Sequence, residues 1–198
     1  MTFIVNMNKN YFRFKYFSIN DSNCGMKICT DSVLFGAWLT VNNNINKILD
    51  IGAGSGLISL MLAQKSDAYI TAIEICKDAA YCADENFKQS KWNDRLKIIN
   101  ISLEDFVNKT NKKFEMIVCN PPWFNSIKPS DEKRQNARHR ESLNYETLLF
   151  SVKKLLTPNG DFFAVLPSSE KNTFNDIALI NELYLNKETI IQTRQNKK

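Results

Sequence analysis

Short apolar runs alternate with stretches of helical periodicity along most of the chain. Ile48 to Ile51 reads as a strand, Gly56 to Gln64 as a helix and Tyr69 to Ile75 as a strand. Lys77 to Gln89 reads as a helix that turns Ala79, Ala80, Ala83 and Phe87 toward a core. Leu96 to Ile101 and Phe114 to Cys119 follow as strands, then Tyr145 to Leu156 as a helix and Asp161 to Leu166 as a strand. A helix over Lys171 to Glu182 and a candidate strand over Leu183 to Thr193 come last. Strands apolar on both faces, interleaved with helices, call for a parallel sheet covered by helices. Ahead of the polar linker Asn42 to Asn46, Tyr11 to Ile19 and Gly25 to Cys29 read as short strands around the turn residues Asn20 to Asn23. A helix over Ser32 to Val41 follows the start signal Thr30-Asp31.

Composition narrows the class. With 198 residues, 43% hydrophobic and 24% charged, the chain is long enough for one compact domain with a real core, which excludes a mini-protein and wholesale disorder. No apolar run approaches the ~20 residues that span a bilayer, and the first ten residues carry no export signal, so a cytoplasmic protein without a membrane partner is expected. Five scattered cysteines and one histidine, His139, predict neither a metal site nor a disulfide framework. The net charge of +5 suits an anionic partner. The abundance of Asn, Lys and Ile over Arg, however, is what an AT-biased genome produces, so the place where arginines cluster says more than the total. Lys128, Lys133, Arg134, Arg138, His139 and Arg140 fall within thirteen residues and hold three of the six arginines. Such a stretch either neutralises nucleic-acid phosphates or forms a solvated loop.

Asp50-Ile-Gly52-Ala-Gly54-Ser-Gly56 follows the first strand of the alternating region and opens a helix. Glycines let the backbone turn sharply and let a ligand approach main-chain N–H groups. The spacing is neither the dinucleotide G-x-G-x-x-G nor a P-loop, so pyrophosphate and triphosphate are weakly supported. About twenty positions on, Glu74 ends the next strand, where a carboxylate can accept from both hydroxyls of a ribose. Asp50 adds a second negative charge. An acidic, phosphate-averse site suits an adenosine with a cationic tail, which points to S-adenosylmethionine; the plainer reading is a tight turn beside a strand end.

Asn120-Pro121-Pro122-Trp123 follows the strand Phe114 to Cys119. Two prolines fix the backbone and remove two donors, so the tetrad is an irregular loop at a strand's carboxyl end. The exocyclic amine of a nucleobase is a poor nucleophile because its lone pair is delocalised into the ring. The Asn120 side-chain oxygen and the Pro121 carbonyl can accept its N–H groups and aim the lone pair, while Trp123 stacks on the base. No titrating base is needed. The alternative is a strand stop with a tryptophan plugging the core.

The glycine turn and the tetrad together resemble class I S-adenosylmethionine-dependent methyltransferases that act on planar nitrogen. The N-terminal stretches Phe12-Arg-Phe14-Lys15-Tyr-Phe17 and Cys24 to Trp38 are similar to those of bacterial tRNA adenine-N6-methyltransferases, which modify the adenosine 3′ of the anticodon in a valine tRNA. The resemblance runs from about Tyr11 to Glu170. It implies a Rossmann-like class I methyltransferase fold, with a mainly parallel sheet and helices on both faces. Residues 1–45 would cap the cofactor site and 46–198 would form the catalytic domain, packed with the first segment as one unit. It implies S-adenosylmethionine as cofactor, tRNA as partner and a monomer. It places Lys27, Thr30 and Asp31 near the methionine end, Glu74 on the ribose, and Asn120 to Trp123 on the adenine.

The sequence departs from that family at two points. Where the family carries an Asp for the cofactor's adenine amine, Ser102 stands here, with Asp105 three residues late. A final antiparallel strand that related chains insert into the sheet is missing. A methyltransferase for rRNA guanine N2 or protein glutamine, and an RNA-binding remnant without turnover, remain the alternative readings.

Overall fold

The computed structural model describes residues 11–22, 24, 27–121 and 144–192. They fall into two compact units. One holds the residues up to Pro121 together with Lys154–Val165, the other residues 144–153 together with 166–192.

In the first unit a two-stranded hairpin, β1 (Tyr11–Arg13) and β2 (Ser18–Asn20), precedes helix α1 (Thr30–Trp38). Then come β3 (Lys47–Ile51), α2 (Leu57–Lys65), β4 (Tyr69–Glu74), α3 (Lys77–Lys88), β5 (Leu96–Asn100), α4 (Leu103–Lys109) and β6 (Phe114–Cys119). Strand β7 (Leu156–Ala164) completes this unit; helix α5 (Tyr145–Leu155), which precedes it directly in the chain, belongs to the second unit up to Lys153. The sheet order is β5-β4-β3-β6-β7, and all four pairings are parallel. This is the parallel sheet expected from the alternating pattern, in the Rossmann-like arrangement that the resemblance implies. Central strands buried on both faces must be apolar throughout, and Ile48, Leu49, Ile70, Ala72, Ile117 and Val118 are at most 1% exposed. The chain winds outward from β3 to β5, then returns to the other side of β3 as β6. The strand order therefore reverses between β3 and β6, where open α/β sheets place their ligands.

Three expectations for this unit need correction, and one helix is additional. The hairpin turns at residues 14–17, closed by the Phe14 N–H donating to the Phe17 carbonyl (2.9 Å), not at Asn20 to Asn23. Residues 27–29, the described part of the strand expected over Gly25 to Cys29, are not a strand. There the Ile28 N–H is taken by the Asp21 carboxylate (2.9 Å) instead of a ladder. Strand β7 starts at Leu156, five residues before the expected Asp161. Its Pro158 and Gly160 sit inside a register shift opposite Phe114 to Met116, so residues that usually end strands mark an irregularity within one. Helix α4 was not anticipated: seven residues show too little periodicity, although Ser102 caps it by accepting from the Asp105 N–H (3.0 Å) and Leu103 and Phe106 are buried.

In the second unit, helix α6 (Lys171–Ile180) follows a 3-10 turn over Ser168–Glu170. Phe174 packs edge-on against Tyr145 with ring centroids 5.1 Å apart. The candidate strand after it is absent: residues 183–192 form no strand, and Thr193 lies outside the described residues. The chain leaves α6 through Glu182 at φ +55°. It is tied down by ion pairs, Lys153 with Glu182 (2.8 Å) and Lys171 with Glu188 (2.7 Å), where a strand would need a pairing partner.

Lys65, in the last turn of α2, donates to the carbonyls of Gly36, Ala37 and Leu39 at 2.7–2.8 Å. A cation on the carbonyl end of α1 satisfies groups that the helix itself leaves open. Lys65→Met should lower unfolding stability by about 1–2 kcal/mol, since hydrogen bonds to charged groups are the stronger ones. Urea denaturation checks it, and a change below about 0.5 kcal/mol would show the three contacts to be incidental.

Candidate functional site

The β3–α2 turn is built for close approach. Gly52, Gly54 and Gly56 all have positive φ, at +70°, +56° and +85°, which side chains rarely tolerate. A Cβ built on Gly52 or Gly54 would meet nothing within 4 Å, so the space beside the turn is open. The turn is anchored from below: the Gly52 and Ala53 N–H groups both donate to the Ile73 carbonyl (2.9 and 3.1 Å).

Glu74, at the end of β4, joins two turns. Its Oε2 accepts from the Gly54 N–H and its Oε1 from the Cys76 N–H, each at 2.9 Å. A carboxylate has about four lone-pair sites, so two remain for a further donor. Asn100, paired with Glu74 in the β4–β5 register, donates its side-chain amide to the carbonyls of Glu74 and Ile75 (2.8 and 2.9 Å). This fixes the strand end that carries the carboxylate. Ser102, two residues further on, serves as the cap of α4.

Asp50 is wholly buried. Its Oδ2 accepts from the Ser59 hydroxyl (2.6 Å), while Oδ1 has no partner among the described residues. Burial first, then the neighbouring negative charge of Glu74, pushes its carboxyl up to about 6 against the Ser59 bond. Burial also raises the Cys119 thiol, with Asp50 and Glu74 adding to the effect. Cys119 is thus a neutral thiol at pH 7, unsuited to nucleophilic chemistry.

Register brings the first residue of the tetrad to the glycine turn. Ile51 pairs with Cys119, so Gly52 and Asn120 are the next residues on neighbouring strands, at the point where the strand order reverses. Asn120 is half-buried and Pro121 buried. Pro122 and Trp123 lie outside the described residues, as do Lys128, Lys133, Arg134, Arg138, His139 and Arg140.

Asp50, Gly52, Gly54, Gly56, Glu74 and Asn120 are thereby gathered at one end of the sheet. Lys27, Thr30 and Asp31 are not bonded to them. Lys27 donates to the carbonyls of Asp21 and Ser22 (2.6 and 3.0 Å), and Thr30 and Asp31 occupy the first turn of α1.

Asn86 escaped sequence reading. It is 2% exposed, and its side chain accepts from the Asn20 N–H (2.9 Å) and donates to the carbonyls of Asn20 and Ser55 (2.8 and 2.9 Å). One amide therefore fastens the hairpin to the glycine turn. The available signal was its place on the buried stripe Ala79, Cys82, Ala83, Phe87 of α3, where a polar residue has to find partners.

Among the described residues, no group of three or more His, Cys, Asp or Glu side chains could hold a metal. No helix among them is long and apolar enough to cross a membrane.

Comparison with known proteins agrees with this geometry. The model of the methyltransferase small domain matches residues 27–197. A tRNA1(Val) (adenine(37)-N6)-methyltransferase of Bacteroides fragilis is 42% identical over 190 residues, covering 95% of this chain and 80% of its own length. One from Shewanella woodyi is 41% identical over 191 residues, covering 94% and 78%. Among solved structures, an S-adenosylmethionine-dependent methyltransferase from Agrobacterium tumefaciens superimposes with a TM-score of 0.65 at 13% identity, covering 92% of this chain and 61% of that one. At that identity the likeness concerns the fold.

The raised Asp50 carboxyl has a signed consequence. A carboxyl whose folded pKa lies above its unfolded value favours folding below about pH 4 and loses that contribution as pH rises through about 6. The difference from the ordinary value of 3.8 corresponds to about 3 kcal/mol. Asp50→Asn should therefore gain stability relative to the parent by up to about 3 kcal/mol between pH 3.5 and pH 7 in urea unfolding. A gap between the two proteins that does not change with pH would contradict the burial cost.

Proposed function

We propose, starting from the fact that the chain belongs to the methyltransferase small domain family, that it transfers a methyl group from S-adenosylmethionine to N6 of the adenine 3′ of the anticodon in a valine tRNA. The observation that carries this reading is the strand register, which sets Asn120 beside the glycine turn at the sheet's switch point. The relatives' substrate, named in their designations, supports it.

The residues present fit the cofactor. The turn at Gly52 and Gly54 leaves room where side chains would intrude. Glu74 keeps acceptor sites for two ribose hydroxyls, and the buried Asp50, whose Oδ1 has no partner among the described residues, adds negative charge behind the turn. Ser102 can donate or accept one bond toward the adenine, although its oxygen already caps α4. In this reading the segment ahead of β3 caps the cofactor, with Lys27, Thr30 and Asp31 toward the methionine tail. The chemistry S-adenosylmethionine supplies when bound is an electrophilic methyl group on a sulfonium.

The chain's own part in the reaction is positioning. Asn120 and the Pro121 carbonyl accept the two N–H bonds of the adenine amine, which draws the nitrogen out of conjugation and aims its lone pair. Trp123 stacks on the flipped base, and Pro121 and Pro122 keep the loop from relaxing. Lys128, Lys133, Arg134, Arg138 and Arg140 neutralise the flanking phosphates. The proton of the adenine amine can pass to water, so no residue of unusual basicity is required of the chain.

The test is mass spectrometry of nucleosides from valine tRNA incubated with the chain and methyl-labelled S-adenosylmethionine. N6-methyladenosine should appear with the parent. Asn120→Ala should reduce its single-turnover rate by about a hundredfold or more, the scale on which one aligned polar group acts in a transition state. Label on guanine N2, on protein, or nowhere would overturn the reading.

A further inference from the structure

The hairpin carries a second basic and aromatic surface that the reaction above does not use. Tyr16, at its turn, is 45% exposed, and Phe12 on β1 is 51% exposed. Two ammonium groups converge on the Tyr16 ring from separate parts of the chain: Lys15 Nζ lies 5.0 Å and Lys91 Nζ 5.5 Å from its centroid. Two like charges over one ring repel each other, and a nearby carboxylate would be the usual relief. Among the described residues none pairs with them: Arg13, Lys15 and Lys91 are exposed, and no ion pair of those residues includes them. The hairpin from Tyr11 to Asn20 has no acidic residue, and Asp94, close to Lys91 in sequence, makes no pair with it. On α3, by contrast, Lys88 is neutralised by Asp84 and Glu85 (2.6 and 3.1 Å).

The surface is held in shape before anything binds. Phe12 packs on Phe14 (centroids 5.0 Å apart) and Phe14 stacks on Phe17 (4.6 Å, 17°). Phe17 meets Trp92 edge-on (6.0 Å), which locks the Tyr16 turn to the segment carrying Lys91. Asn86 ties the same hairpin to the glycine turn. Groups already fixed lose little freedom on binding.

We infer that this face, formed by Phe12, Arg13, Lys15, Tyr16 and Lys91, binds a strand of the RNA substrate away from the target base. A backbone phosphate would be shared by Lys15 and Lys91, and bases would stack on Tyr16 and Phe12. Uncompensated cations around exposed π-faces are the combination that suits single-stranded nucleic acid. A membrane surface fits less well, because the hairpin exposes rings and no aliphatic wedge: its one aliphatic side chain, Ile19, is fully buried. The inference rests on the reading of the chain as an RNA-modifying enzyme.

Fluorescence anisotropy tests it with two labelled probes, a valine tRNA transcript and a single-stranded RNA, titrated from low to high salt. Lys15→Gln with Lys91→Gln should lower the slope of log affinity against log salt by about 0.7–0.9, the value for one phosphate contact. Lys88→Gln should leave the slope unchanged. Tyr16→Ala should weaken binding at fixed salt by about fivefold or more. S-adenosylmethionine affinity, measured by calorimetry on the same variants, should not move. An unchanged slope in the double variant, an equal fall in Lys88→Gln, or no RNA binding by the parent would overturn the inference. So would a double variant that loses binding to phosphatidylglycerol vesicles while its RNA slope holds. Nucleoside mass spectrometry on the parent reports separately on the methyl-transfer reading. A parent that binds RNA through this face yet methylates no tRNA would leave the surface standing and remove that reading.

Discussion

The carboxylate of Glu74 is the constraint on which the candidate site depends. It accepts from Gly54 on one turn and Cys76 on the next, so two loops at the ends of adjacent strands share one rigid acceptor. Glycines that can adopt positive φ can adopt much else, and without such a partner the β3–α2 turn would sample many shapes. Bonds to an ionised acceptor are stronger than neutral ones. Asn100 then secures the carboxylate's own strand end, and Asn86 carries the fixation from the turn to the hairpin. Precision at the site thus comes from side chains that bond to backbone, on elements whose register is set by the parallel sheet.

Asp50 shows what this arrangement costs. A carboxyl with an unpartnered oxygen, wholly buried and near a second carboxylate, lowers the stability of the unliganded fold at neutral pH. Groups that weaken a fold in this way cluster where a ligand later supplies the missing partner. A positively charged ligand would relieve both the desolvation and the repulsion, which is why charge, rather than shape alone, favours a sulfonium cofactor over a phosphate-bearing one at this glycine turn.

Much of the fold was legible because the pattern was unambiguous: β6 is found at the residues expected of it, and β3, α2, β4, α3 and β5 differ by a residue or so at their ends. The misses have physical causes. Helix α4 is held by its Ser102 cap and two buried residues, too few for periodicity to show. Pro158 and Gly160 read as a loop but form an irregular stretch of β7, since the neighbouring β6 supplies the pairing that local sequence does not. Residues 183–192 carry the apolar residues Leu183, Tyr184, Leu185, Ile190 and Ile191 yet find no ladder, because a strand exists only with a neighbour to bond. At the site, Asp50, Gly52, Gly54, Glu74 and Asn120 were readable from spacing, whereas Asn86 and Asn100 were not. Their work is to bond backbone groups distant in sequence, and nothing local announces such a partner.

In the proposed reading Glu74, already bonded to two turns, keeps acceptor capacity for a nucleoside ribose. Calorimetric titration of S-adenosylmethionine into the parent and into Glu74→Gln measures this directly. The substitution removes the charge and one acceptor oxygen while keeping the side chain's size, and charge-assisted bonds contribute roughly 1.5–3 kcal/mol each. Binding by the parent and a loss of about tenfold or more in Glu74→Gln are expected. Equal affinity in the two proteins would show that the ribose does not use Glu74.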